Sequence, residues 1–270
     1  MKVLVGMSGG IDSSVTVLML QEAGHEVVGA TMALWNKRDG VKPGSKNSCY
    51  SPNKEKDVEE ARKICQLTGI PHYLLDCVEE YENIVLENFK REYISGRTPN
   101  PCVLCNSRIK FGAFPLLAEK SGIHFDKFAT GHYARVVQDE NTGRYLLKTA
   151  KDVKKDQSYF LYRLTQSQLS RVIFPLGEYT KDEIRTIARG KGLSISEKKD
   201  SQDFYCGDYS ELLGVDRAEG NIVDKNGKIL GKHNGFWNYT LGQRKGICIS
   251  APRPLYVIGL NKEKNEVIVG

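Results

Sequence analysis

Along the first part of the chain, short apolar runs alternate with apolar residues at helical spacing. Val3-Leu4-Val5 reads as a strand. Val15, Leu18, Met19 and Ala23 then recur at helical spacing and predict a helix over 13–23, with Gly24 as its stop. Residues 27–32 predict a second strand, followed by a polar loop bearing Lys and Gly from about 36 to 53. Val58, Ala61, Cys65 and Thr68 mark a second helix that closes at Gly69, with Cys65 on its apolar face as a core residue. His72-Tyr73-Leu74-Leu75 predicts a third strand, a charged helix follows to about Ile94, and residues 125–130 predict another strand. Strand–helix alternation with short connections implies a parallel sheet covered on both faces, an α/β fold.

The pattern changes after about Lys155. Thr180-Lys181-Asp182-Glu183 is a capping box ahead of a helix carrying Ile184, Ile187 and Ala188, which Gly192 ends. From about Gly207 the signals are β. Residues 222–230 read as a hairpin with an Asn226-Gly227 turn. Residues 255–259 and 266–269 can pair across 261–265. The expected division is an α/β catalytic domain over 1–200 with a helical insertion, then a small β domain over 201–270.

A chain of 270 residues, 40% hydrophobic and 27% charged, is long enough to bury a real core. No apolar run approaches the ~18 residues of a membrane span. The N-terminus Met1-Lys2-Val3-Leu4-Val5-Gly6 runs directly into a strand without the features of a signal peptide, so the expectation is a cytoplasmic protein with no membrane association. Lys plus Arg number 39 against 33 Asp plus Glu, and this excess of +6 permits a polyanionic partner without demonstrating one. Seven cysteines occur, Cys49, Cys65, Cys77, Cys102, Cys105, Cys206 and Cys248, and the odd count argues against a secreted disulfide scaffold. They are either small buried apolar residues or chemistry.

The strongest chemical signal joins the first strand to the first helix: Gly6-Met7-Ser8-Gly9-Gly10-Ile11-Asp12-Ser13-Ser14. Adjacent glycines let the backbone turn sharply and approach a ligand closely. Amides at a helix start, together with the macrodipole, favour an anion. The plain alternative is an ordinary glycine-rich strand-to-helix turn. The loop has neither the lysine of a Walker loop nor the spacing of a dinucleotide fingerprint. It resembles the SGGxDS signature of ATP pyrophosphatases, which implies that ATP is split into AMP and pyrophosphate and an acceptor is adenylated. Asp12 is a candidate for positioning either magnesium or the phosphates, and the sequence does not choose between them.

An adenylated carbon needs an attacking group, and two segments nominate sulfur. Thr98-Pro99-Asn100-Pro101-Cys102-Val103-Leu104-Cys105-Asn106 is a Pro-rich loop presenting a Cys-x-x-Cys pair before a helix. Residues 198–207 place Cys206 between aromatic residues and Gly207, downstream of Lys198 and Lys199. Thiolates form more readily near cations and helix N-termini, and thiols at both places suit persulfide transfer and its resolution to a disulfide. A structural zinc would need a second close ligand pair, which the chain does not offer.

Taken together, these blocks closely resemble the tRNA-specific 2-thiouridylases. Further matching blocks are Ala129-Thr130-Gly131-His132-Tyr133-Ala134-Arg135, Lys155-Asp156-Gln157-Ser158-Tyr159-Phe160-Leu161, Phe174-Pro175-Leu176-Gly177, Lys199-Asp200-Ser201 and Thr240-Leu241-Gly242-Gln243-Arg244-Lys245-Gly246. The resemblance implies an ATP-pyrophosphatase fold of the adenine nucleotide alpha hydrolase kind and a tRNA-uridine 2-sulfurtransferase. Sulfur would replace oxygen at carbon 2 of the wobble uridine, supplied by a persulfide-donating sulfur carrier protein.

By the same resemblance, Cys206 would carry the persulfide and Cys105 would be the second catalytic cysteine. Gly6 to Ser13, Met32 and Gly131 would contact ATP, bound together with Mg2+. Asn100, Pro101 and Cys102 would lie near the target base, and Lys155, Asp156 and Gln157 would touch tRNA. Without the resemblance, Lys148, Lys151, Lys154 and Lys155 read as a solvated charged face, and His132 as a hydrogen-bonded residue at a strand end.

Two departures from the family stand out. Many members carry Asp where this chain has Cys102, which makes Cys102, Cys105 and Cys206 candidate ligands of a [4Fe-4S] cluster with one open iron, an alternative thiolation route. Members also usually continue into a C-terminal β-barrel domain, absent here, and weaker tRNA binding is the expectation. Rival readings are a small-molecule adenylating ligase or amidotransferase, which shares the phosphate loop, and a non-catalytic tRNA-binding module.

Overall fold

The structure is a computed structural model that describes residues 1–35, 50, 54–193, 204–205 and 209–270. It divides into two compact units, Met1–Ile84 with Cys102–Cys206, and Val85–Pro101 with Gly207–Gly270. Most of the polar loop expected at 36–53 lies outside the described residues.

The first unit is built on a five-stranded sheet in the order β3-β2-β1-β4-β7. Its strands are β1 (Lys2–Gly6), β2 (Glu26–Ala33), β3 (His72–Asp76), β4 (Lys127–Thr130) and β7 (Val172–Ile173), and every neighbouring pair is parallel. Val3, Leu4 and Val5 are fully buried on both faces, which is why β1 reads as an unbroken apolar run. Helix α1 (Ile11–Glu22) packs Val15, Val17 and Leu20 into the core. Helix α2 (Lys54–Leu67) adds Ala61, Ile64 and Cys65. A β-carbon on Gly29 would stand 2.7 Å from the Cys65 sulfur, so the buried thiol fills the space that this glycine leaves open. Cys65 is thus a core residue, as its place on the apolar face implies.

The charged helix expected after β3 is interrupted. Helix α3 (Val78–Tyr81) passes through a π-helical turn, Glu82–Leu86, into α4 (Glu87–Ile94). Helix α5 (Pro101–Leu104) likewise runs into a π-helical stretch, Cys105–Ala113, and then α6 (Phe114–Lys120). A hairpin that the hydrophobic pattern did not single out pairs β5 (Arg135–Gln138) with β6 (Tyr145–Lys148). Its apolar residues Val137 and Leu146 are exposed, so it leaves no clean in–out alternation to read. Helices α7 (Gln166–Arg171) and α8 (Lys181–Gly190) both begin at complete capping boxes, on Thr165 and Thr180.

The second unit carries a four-stranded sheet in the order β10-β11-β8-β9. β8 (Gly220–Asp224) and β9 (Ile229–His233) form the expected hairpin. Asp224 Oδ1 accepts the amides of Asn226 and Lys228 at 2.8 and 2.9 Å and fixes the turn. β10 (Val257–Asn261) pairs antiparallel with β11 (Glu266–Val269), which runs parallel to β8. Phe89 and Tyr93 of α4 meet Tyr209 of α9 (Tyr209–Leu213) edge-on, with centroids 5.6 and 5.4 Å apart. Among the described residues no helix is long and apolar enough to cross a membrane.

Candidate active site at the end of the central strand

β1 lies between β2 and β4, and the order in which the chain adds strands reverses there. In such open sheets a ligand fits the crevice beyond the carboxyl ends of the strands at the reversal. The two loops that border this crevice are 7–10, after β1, and 131–134, after β4. Both were singled out by sequence.

The first loop turns sharply, with Gly9 buried against the main chain of Asp57. Gly9 adopts φ +68°, open to glycine at little cost. Gly10 is the N-cap of α1, and among the described residues no side chain caps it. Ser13 and Ser14 hydroxyls both donate back to the Gly10 carbonyl, at 3.1 and 2.9 Å. Ser8 N–H donates to Ser13 Oγ at 3.2 Å, while the Ser8 side chain is exposed. Gly6 ends β1, and the side chains of Met7 and Ile11 are buried in the core. The side chains of Met7 and Ile11 therefore serve the core, and the Met7 amide donates to the Ala30 carbonyl at 2.7 Å. Met32 is half-buried near the end of β2.

The second loop presses directly on α1. A β-carbon on Gly131 would lie 2.8 Å from the Asp12 carbonyl carbon and 2.9 Å from the Ser13 nitrogen. Only glycine allows the end of β4 to approach the phosphate loop this closely. Next to it, the buried Tyr133 donates its hydroxyl to Asp12 Oδ1 at 2.9 Å. Lys181, the first residue of α8, brings Nζ to 2.8 Å from both Asp12 carboxylate oxygens, with only 5% of its side chain exposed. The sequence reading missed Lys181 and Tyr133 as site residues. The one signal available was a lysine in the first turn of a capped helix, where a cation opposes the macrodipole.

Beyond this loop, His132 is buried and hydrogen-bonded to Thr130 Oγ1 at 2.7 Å. Burial, with a smaller contribution from Lys110, holds its imidazole well below its usual range and hence neutral. The segment 155–157 folds back onto the same loop. The amide of Tyr133 donates to Gln157 Oε1 at 2.9 Å, and the Gln157 amide donates to the Tyr133 carbonyl at 2.8 Å. Asp156 accepts the Ala150 amide at 2.8 Å and the Ser158 hydroxyl at 2.6 Å. Lys155 is half-buried, its amide donating to the Asp152 carbonyl at 3.0 Å. Asp156 and Gln157 therefore shape the loop.

Asn100 is exposed at the end of the second unit's first segment, and Pro101 opens α5. Cys102 lies in the first turn of α5, and Cys105 is the first residue of the π-helical stretch; both are half-buried. π-Helical turns release carbonyls from the regular ladder and recur at functional sites. Here Gln168 Nε2 donates to the carbonyls of Ser107 and Phe111, at 2.8 and 2.9 Å.

Cys77, at the head of α3, is close enough to Cys105 to interact electrostatically. Burial chiefly, then Glu80, Asp76 and Cys105, push its thiol up to about 12, so it stays protonated. Cys206 lies outside the described residues. Phe204, two residues earlier, stacks on Tyr50 at 6.4 Å, and Tyr50 stacks on Tyr81 of α3 at 5.6 Å. Tyr50 thus links Phe204 to Tyr81 of α3. Among the described residues no group of three or more His, Cys, Asp or Glu side chains is arranged to hold a metal ion.

The family described as the tRNA methyl transferase HUP domain matches residues 1–206, and the tRNA methyl transferase PRC-barrel domain matches residues 212–270. A tRNA-specific 2-thiouridylase MnmA of Endomicrobium trichonymphae is 52% identical over 100% of this chain and 76% of its own length. The protein of the same name from Geotalea uraniireducens is 46% identical over 100% of this chain and 72% of its own.

Proposed function

The chain belongs to the tRNA-specific 2-thiouridylase family, and from that premise we propose that it uses ATP to replace oxygen by sulfur at carbon 2 of the wobble uridine of tRNA. The observation that carries the ATP half is the uncapped start of α1 at the strand-order reversal, with Gly131 packed against it. Main-chain amides there suit the phosphates of a nucleotide. The matching domain descriptions name methyl transfer, but a phosphate cradle has no task in moving a methyl group, whereas adenylation followed by sulfur attack uses both the cradle and the thiols.

The proposed reaction has three steps. The uridine carbonyl oxygen attacks the α-phosphorus of ATP, the α–β bridging bond breaks, and pyrophosphate leaves with that electron pair. The terminal sulfur of a persulfide on Cys206 then attacks carbon 2 and expels AMP, leaving the base joined to Cys206 through two sulfurs. Cys105 as thiolate attacks the Cys206 sulfur, which forms a Cys105–Cys206 disulfide and releases the thiolated base. A dithiol reductant restores both thiols, and a persulfide-donating carrier protein reloads Cys206. The stacking of Phe204 on Tyr50 and of Tyr50 on Tyr81 supports the pairing of these two cysteines.

Magnesium would serve as counter-ion to the phosphates, with Asp12 positioning either that ion or the phosphates. Within the proposal, Asn100, Pro101 and Cys102 approach the target base, and Lys155 meets the tRNA backbone. The iron–sulfur alternative would use Cys102 and Cys105, one helical turn apart, with Cys206. Iron analysis after anaerobic purification separates the two routes, since fully active iron-free protein eliminates the cluster.

The test of the function is mass spectrometry of tRNA nucleosides after incubation with ATP and a sulfur source. The expected product is 2-thiouridine, made only when ATP is present. Folded protein that yields no thiolated uridine under these conditions would refute the proposal.

A further inference from the structure

The phosphate loop has no lysine of its own, yet the fold delivers one to it. Lys181 is 169 residues from Asp12 in sequence, and its ammonium meets both carboxylate oxygens at 2.8 Å. Its position is fixed twice. Thr180 and Glu183 complete the capping box around it, and its own amide donates to Asp152 Oδ2 at 2.9 Å. The ammonium also lies 5.7 Å from the centroid of the Tyr133 ring, whose hydroxyl holds the same carboxylate.

This placement runs against two physical preferences. Burying a lysine to 5% side-chain exposure costs desolvation, and a cation at a helix N-terminus opposes the macrodipole. Were the pair needed only to join α8 to α1, two apolar side chains would do so at no such cost. What an apolar pair cannot provide is a positive charge beside the anion-binding end of α1.

We propose that Lys181 is the phosphate-binding cation of the site, held by Asp12 and Tyr133 until the nucleotide arrives and then shared with its phosphates. This rests on the ATP reading above and goes beyond it by assigning the charge. In the adenylation step pyrophosphate leaves with an added negative charge, and a fixed ammonium stabilises that charge most where water is excluded.

The test is calorimetric titration of the full chain with inorganic pyrophosphate in a chelator, so that no metal contributes. The variants are Lys181→Met, Asp12→Asn and the double substitution, with a thermal melt for each. The two single substitutions are expected to act in opposite senses. Lys181→Met weakens pyrophosphate binding at least about tenfold, whereas Asp12→Asn, which removes the competing carboxylate, leaves it equal or tighter. The double variant removes both members of the pair at once, so it reports on binding even if Lys181→Met does not fold, and it is expected to bind as weakly as the single lysine variant.

Folded Lys181→Met or double variant with pyrophosphate affinity within about twofold of wild type would overturn the proposal. So would equal weakening by Lys181→Met and Asp12→Asn, which marks a merely structural pair. Wild-type protein that binds neither pyrophosphate nor ATP would instead overturn the ATP reading, and this assignment with it.

Discussion

Alanine at position 131 adds a methyl group where β4 meets the phosphate loop. That carbon would stand 2.8 Å from the carbonyl carbon and the Cβ of Asp12 and 2.9 Å from the Ser13 nitrogen. Carbon atoms pack at about 3.5–4.0 Å, so the two segments must part by about 0.7 Å. Two of the three clashing atoms are main chain, so no side-chain rotation relieves the contact. Gly131 is not among the glycines with positive φ, and the effect is therefore steric. Overpacking of this kind costs about 1–3 kcal/mol. Because the displaced atoms belong to the first turn of α1, the same shift moves the proposed phosphate donors. A misplacement approaching 1 Å can cost up to ~100-fold in rate, and a fall of about tenfold or more in kcat/KM for ATP is expected.

Urea unfolding gives the first quantity, and tRNA-dependent release of pyrophosphate gives the second. Gly190→Ala is the control of opposite sign. Gly190 ends α8, a β-carbon there meets nothing within 4 Å, and alanine should stabilise by about 0.4–1 kcal/mol. Gly131→Ala protein with wild-type stability and kcat/KM within about twofold of wild type would show that the close approach has no consequence for the loop.

Cys105→Ser is expected to abolish 2-thiouridine formation while pyrophosphate release continues, and full thiolation by this variant would eliminate Cys105 as the resolving thiol. Gln168→Ala removes the donor to the Ser107 and Phe111 carbonyls, and a loss of about 1–3 kcal/mol is expected in urea unfolding. An unchanged midpoint would mean that the π-helical stretch re-pairs without it. Stability should fall in alkali. In the unfolded chain the thiols ionise near their ordinary 9.0, whereas burial holds Cys65 protonated to about 11 and Cys77 to about 12. The folded state therefore binds more protons across that window, and the stabilisation, fully present below 9.0, is lost as pH rises towards 12. Unfolding midpoints measured from pH 8 to 11 should fall less steeply with Cys65→Ala, and an identical slope would contradict the assignment.

The sequence by itself determined whatever depends on near neighbours. Apolar runs set β1 and β2, helical spacing set α1 and α2, and the Thr180–Glu183 box set the start of α8. The Asn226-Gly227 turn set the β8–β9 hairpin, and the glycine-rich loop with the ordered motif blocks pointed to the family. Each is a local rule, satisfied within a few residues of its own position. The π-helical turns and the β5–β6 hairpin escaped, because the first keep an ordinary helical composition and the second exposes its apolar side chains.

Only the tertiary structure decided which distant residues meet at the loop. Parallel strand order brings Gly131 onto Asp12, seats Gln157 against Tyr133 and carries Lys181 across the chain to the same carboxylate. No periodicity encodes such meetings. They follow from how helices stack on a sheet, and a lysine in a first helical turn looks like any solvated charge until the carboxylate that it faces is known.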